Sequence, residues 1–139
     1  RDTLETQKAR PGILDFLEEA SKLGLKMAIA SSSSKGWVLG WVEKLKIKHY
    51  FEQFFNRDDV KKIKPAPDLF LSSCEALNIK TSEALVLEDS ENGLKAATCA
   101  GIKCAIITNK ITEGGNFSDA VIETDSFYDE QLKKLLIDL

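Results

Sequence analysis

Two six-residue stretches, Gly24-Leu25-Lys26-Met27-Ala28-Ile29 and Gly101-Ile102-Lys103-Cys104-Ala105-Ile106, carry one pattern: a glycine, then an apolar run interrupted by a single lysine. Before the first lie Ile13, Phe16, Leu17 and Ala20 at helical spacing, and before the second lies the Ala-rich segment Gly93 to Ala100. Glycine is the residue that most readily adopts the left-handed conformation in which helices end. The runs that follow are too short for helices and suit parallel strands covered on both faces. The echo is too short to be a sequence repeat. Two helix-glycine-strand units of one type nevertheless point to right-handed crossovers and a doubly wound parallel sheet.

The rest of the chain fits that scheme. Pro11-Gly12 opens the first helix, Leu25 to Ala30 forms a strand, and Ser31 marks its tip. Trp37, Val38, Trp41, Val42 and Leu45 recur at helical spacing behind a serine-rich cap. Tyr50, Phe51, Phe54 and Phe55 make an aromatic link, with a short strand near Phe54–Asn56. A helix through Leu69, Phe70, Ser73, Cys74 and Leu77 follows Pro67, whose fixed φ suits a first turn. A buried strand is expected at Ala84 to Leu87, further strands at Lys103 to Thr108 and Ala120 to Ile122, a flexible turn at Gly114-Gly115-Asn116, and a closing helix through Leu132, Leu135 and Leu136.

At 139 residues the chain suits one domain, large enough to bury roughly two-thirds of its unfolded surface. A net charge of −3 lacks the excess of Lys and Arg that nucleic acid or an anionic membrane surface requires. No apolar run approaches the roughly 18 residues of a membrane span, and the first residues lack a signal peptide's apolar centre. Cys74, Cys99 and Cys104 lack CxxC spacing and stand in apolar context, so they read as buried core thiols of a reducing, cytoplasmic protein.

Three motifs carry chemistry. Val86-Leu87-Glu88-Asp89-Ser90 is an apolar run ending in two adjacent carboxylates, followed by Gly93 and a helix start. Mg²⁺ takes hard oxygen ligands and needs only one or two protein carboxylates, and ligands of parallel sheets gather beyond the carboxyl ends of strands. Asp89 is the expected ligand, with Glu88 a second ligand or an orienting neighbour. The competing reading is a pair of acids decorating a helix N-terminus. Ser31-Ser32-Ser33-Ser34-Lys35-Gly36 lies between strand and helix, where hydroxyls and backbone N–H groups hold phosphate. Ser31 is the expected contact, whereas Ser33 or Ser34 suits a helix cap. Lys64-Pro65-Ala66-Pro67-Asp68 offers a point charge ahead of a proline-stiffened helix start, although Lys61-Lys62-Ile63 before it also fits a solvated basic loop. No glycine-rich loop follows a strand, which argues against a nucleotide-binding domain.

Ser31 after a strand, Lys64 in Lys-Pro-Ala-Pro-Asp, and Glu88-Asp89-Ser90-Glu91-Asn92-Gly93, in that order, resemble the haloacid dehalogenase-like superfamily. The likeness runs from about Pro11 to Asn109 and is closest to the β-phosphoglucomutase and phosphoglycolate phosphatase branch. The resemblance implies a Rossmann-like, three-layer α/β/α fold. It also implies Ser31 and Lys64 as catalytic and substrate-binding residues, Ser32 as a further phosphate contact, and Asp89 with Glu88 as ligands of a Mg²⁺ cofactor. The family's first motif, a strand ending in Asp-x-Asp, supplies the attacking aspartate and a general acid/base. This sequence has no such motif. The resemblance therefore implies a sheet lacking its central first strand, residues 1–10 as the return linker from a helical cap, and residues 11–139 as the C-terminal part of the core. The expected partners are a small phosphorylated metabolite and an N-terminal remainder bearing the nucleophile. The expected enzyme is a phosphatase or phosphomutase, inactive as this chain alone. The alternative is a catalytically silent phosphate-binding or regulatory module.

Overall fold

The computed structural model describes residues 12–109 and 112–139, apart from the side chains at positions 37, 38, 41 and 42. The expected linker over residues 1–10 and the side chains of the Trp37–Val42 stripe lie outside that description. In chain order the elements are α1 (Ile13–Lys22), β1 (Ala28–Ala30), α2 (Lys35–Lys44), β2 (Gln53–Phe55), α3 (Asp68–Leu77), β3 (Leu85–Glu88), α4 (Glu91–Ala100), β4 (Lys103–Ile107), β5 (Ile122–Thr124) and α5 (Glu130–Ile137).

The two glycines end their helices identically. Gly24 has φ +75° and donates its N–H to Ser21 O, while Leu25 N–H reaches back to Ala20 O at 3.2 Å. Gly101 has φ +74°, and the N–H groups of Gly101 and Ile102 go to Thr98 O and Ala97 O. Each pair satisfies carbonyls that the helix end leaves without partners. Asn78 does the same for α3 at φ 57°, with Ile79 N–H on Cys74 O. Asparagine tolerates this conformation better than other residues with a Cβ.

All strand pairs are parallel, as a βαβ chain demands. The strands form two groups, β1-β2 and β3-β4-β5. β4 is the inner strand of the larger group, and its alternation defines the layers. Cys104 and Ile106 face a core with Phe70, Leu94 and Ala97 of α3 and α4, while Ala105 and Ile107 face Phe16 of α1 and Leu132 and Leu136 of α5. Helices thus cover both faces, and the fold is a doubly wound α/β/α arrangement.

From β1 the chain steps outward to β2, and from β3 outward through β4 to β5, so the winding reverses between β1 and β3. A cavity of about 570 Å³ lies there, its lining predominantly apolar, with Ile29, Leu87, Phe16 and Phe70 on its walls. The cavity corrects the expectation of a fully buried Ala84–Leu87 strand, because Leu87 is 37% exposed on the cavity side. The five strands together do not close that space. Exposed apolar walls bind hydrophobic dyes and weaken cooperative packing. This chain made alone is expected to enhance ANS fluorescence and to melt over a broad range; a sharp melt without dye binding would contradict that.

The thiols also need one correction. Cys74 and Cys104 are buried, but Cys99 is exposed. It continues the outward stripe of α4 through Glu91 and Lys95, whereas Ala96 and Ala97 take the inward face. The Cys104 thiol is pushed up to about 12 by burial and then by the nearby Glu88 charge, with Lys64 acting in the opposite sense, so it stays protonated and inert.

Candidate active site

Parallel strands carry the end of β1 and the end of β3 to the same edge of the molecule, one on each side of the reversal in winding. Ligands of open α/β sheets bind at that place. Beyond β1, Ser31 is tied to the neighbouring strand through its N–H on Phe55 O at 2.9 Å. Its Oγ accepts from Ser33 N–H at 3.1 Å, which folds the serine run into a tight turn. Ser33 O in turn accepts from Arg57 N–H at 3.1 Å, and Ser34 immediately precedes α2.

The loop ahead of α3 is not the solvated basic segment that its composition allows. Lys61, Lys62 and Ile63 are exposed, but the Lys64 side chain is only 12% so. Its Nζ donates to Ala30 O, the last residue of β1, at 2.9 Å, and pairs with the Glu88 carboxylate at the end of β3. The ammonium also sits 5.0 Å from the centroid of Phe70, which leans against its apolar side. Lys64 N–H donates to Ser32 Oγ at 3.3 Å. The Ser32 oxygen thereby ties the lysine loop to the serine loop.

Glu88 is engaged at both oxygens. Oε2 meets Lys64, and Oε1 accepts from Asp89 N–H at 3.2 Å and Ser90 Oγ at 3.3 Å. Ser90 is the N-cap of α4, its Oγ accepting from Gly93 N–H at 3.0 Å. Both acids therefore lie ahead of the helix cap, and the acid in the first turn is Glu91. Neither acid therefore sits in the first turn, where acids offset the helix dipole. Among the described residues no group of three or more His, Cys, Asp and Glu side chains gathers. Adjacent hard-oxygen carboxylates at a strand tip nonetheless fit Mg²⁺, which draws its remaining ligands from water and substrate. Glu88 already carries a cationic partner at Oε2.

The arrangement brings Ser31, Lys64, Glu88 and Asp89 to one edge. It adds Asn109, which the motifs did not mark: its Nδ2 lies 3.4 Å from Asp89 Oδ2. The only advance signal was its place just beyond a strand.

The family model described as haloacid dehalogenase-like hydrolase matches residues 2–107. The chain belongs to the haloacid dehalogenase-like hydrolases. YhcW of Bacillus subtilis (strain 168) is 40% identical over 133 residues, which are 96% of this chain and 60% of YhcW. The phosphorylated carbohydrates phosphatase of Thermotoga maritima is 34% identical over 99 residues, 71% of this chain and 46% of that protein. The crystal structure of CbbY from Rhodobacter sphaeroides in complex with phosphate superposes with a TM-score of 0.83 at 30% identity, covering 94% of this chain and 59% of CbbY. A mutant of that CbbY in complex with xylulose-(1,5)bisphosphate gives a TM-score of 0.76 at 34% identity, covering 85% of this chain and 54% of CbbY. The haloacid dehalogenase-like chain thus spans about 60% of YhcW and of CbbY. It is an enzyme-family domain whose relatives include phosphatases and proteins that bind phosphorylated sugars. No helix among its described residues is long and apolar enough to cross a membrane.

Proposed function

We propose that the protein containing this chain is a Mg²⁺-dependent phosphatase or phosphomutase of the cytoplasm, acting on a small sugar phosphate. One observation carries the reading: the Lys64 ammonium lies between the tips of two parallel strands, bonded to Ala30 O beside Ser31 and paired with Glu88 beside Asp89. A hydroxyl, a cation and two carboxylates so gathered suit a transferring phosphoryl group, whose charge spreads over three equatorial oxygens. Mg²⁺ bound at Asp89 would supply charge neutralisation and help orient the substrate.

The nucleophile is an aspartate outside this sequence, on a strand that enters the apolar space between β1 and β3. Such a strand would run parallel to both and end beside Ser31 and Glu88. Its carboxylate attacks phosphorus, forming an aspartyl-phosphate as the bond from phosphorus to the sugar oxygen breaks. A second aspartate two residues on gives the departing oxygen its proton. Water, or a second sugar hydroxyl in a mutase, then attacks phosphorus, giving its proton to the second aspartate as the bond to the first aspartate breaks and that carboxylate is restored. Through this, Ser31 donates its O–H to a phosphoryl oxygen and Lys64 holds the charge that builds there. The apolar walls of the slot and the likeness to phosphatases and to CbbY support this reading.

The experiment is Asp89→Ala in the full-length protein, assayed with a set of sugar phosphates and a Mg²⁺ titration. Turnover is expected to fall at least about 100-fold, the scale on which single electrostatic groups act. Undiminished Mg²⁺-dependent turnover would overturn the metal assignment, and phosphate binding with no turnover by the wild type would favour a silent module.

A further inference from the structure

We propose that Asn109 is a positioning residue that holds the Asp89 carboxylate for a divalent cation, an inference resting on the Mg²⁺ reading above. Glu88 pairs in register with Ile106 of β4, so the chain leaving β4 passes beside Asp89. There it makes a local network. Asn109 Oδ1 accepts from Thr112 N–H at 3.0 Å and from Thr112 Oγ–H at 3.3 Å, while Thr112 Oγ accepts from Asn109 N–H at 3.1 Å. Glu113 N–H adds a bond to Asn109 O at 2.9 Å. The far end of the loop is also anchored. Gly115 stands so close to Phe117 and Glu91 that a Cβ there would come within 2.9 Å of the Phe117 ring and 3.2 Å of Glu91 Oε2.

This network fixes which way the amide faces. An oxygen that accepts from a backbone N–H cannot be the amide nitrogen, so Nδ2 is the atom turned toward Asp89, and Nδ2 can only donate. The resulting contact to Asp89 Oδ2 is long, at 3.4 Å. A neutral donor steers the acid without adding charge. Glu88 meets the Lys64 ammonium, and Asp89 receives a neutral donor from Asn109. Groups that orient metal ligands from behind typically set metal affinity by about 10–100-fold.

The test is Mg²⁺ affinity, measured by calorimetry on the full-length protein and three variants, with the metal-free melting temperature recorded beside it. Asn109→Ala is expected to weaken Mg²⁺ about 10–100-fold with little change in the metal-free melt. Asn109→Asp keeps the oxygen that holds Thr112 but places a second carboxylate beside Asp89, and is expected to tighten Mg²⁺, since carboxylate count raises divalent affinity. Opposite signs in the two variants support the positioning role. Equal losses in both, or a lower metal-free melt with unchanged affinity, overturn it and leave Asn109 a loop-forming residue. Asp89→Ala separates the two readings: if it abolishes Mg²⁺ binding while Asn109→Ala does not alter it, only the Asn109 role fails. If Asp89→Ala leaves affinity unchanged, the metal reading fails and takes this inference with it.

Discussion

Lys64→Ala is expected to abolish most turnover of the full-length protein, by at least about 100-fold, and to lower its stability by about 3–5 kcal/mol. The first figure follows from removing the ammonium that bridges the two strand tips, the group that in the proposed function would meet the phosphoryl charge. The second follows from burial. The Lys64 and Glu88 side chains are only 12% and 10% exposed, and deleting one member of such a pair leaves the other charge without compensation. The two effects separate in a double variant. Lys64→Met with Glu88→Gln removes both charges while keeping similar volume, so most of the lost stability is expected to return while turnover stays low. Denaturant melts and sugar-phosphate assays on the same preparations read both quantities. Wild-type turnover in Lys64→Ala would remove the lysine from the site, and a double variant as unstable as the single one would show that the pair is not what holds these loops.

Gly93→Ala is expected to destabilise, against the ordinary rule that Ala in a helix is favoured over Gly by about 1 kcal/mol. Gly93 lies in the first turn of α4, and a Cβ there would come within 2.1 Å of Glu88 Cδ and Oε1. A flexible carboxylate would ordinarily swing aside. Here it is held by Lys64, by Ser90 Oγ and by Asp89 N–H, so moving it breaks the contact that joins the strand tips. Overpacking of this kind costs about 1–3 kcal/mol, and loss of the Glu88 position is expected to lower turnover together with stability. Gly36→Ala, with nothing near its Cβ position, is the control and should raise or preserve the melting temperature. A Gly93→Ala protein as stable and active as wild type would refute the close approach.

The contrast between these two glycines shows how far local rules reach. Gly24 and Gly101 were readable as helix ends because the bonds that require them span five residues or fewer. The parallel layering was readable for a similar reason, since short apolar runs behind such ends have few other folds open to them. Asn78 ends α3 by the same bonds, but asparagine also sits in ordinary turns and gave no comparable signal. The demand for glycine at position 93 was invisible, because it is imposed by a side chain that folds back from the preceding strand. Leu87 and Cys99 are apolar or neutral residues in apolar context, and only the cavity between β1 and β3 and the outward stripe of α4 set their exposure.

The site divides in the same way. That Ser31 ends one strand and that Glu88 and Asp89 end another follows from the order of residue types along the chain. That Lys64 is a buried bridge, that Ser32 holds its loop and that Asn109 turns its amide to Asp89 depend on partners 34, 32 and 20 residues away. Such contacts arise only once parallel strands are set in register and helices fix the loops above them. Periodicity and end signals act through bonds between near neighbours, so the chain carries them locally; the meeting of charges at the strand tips is a consequence of packing, which no single segment contains.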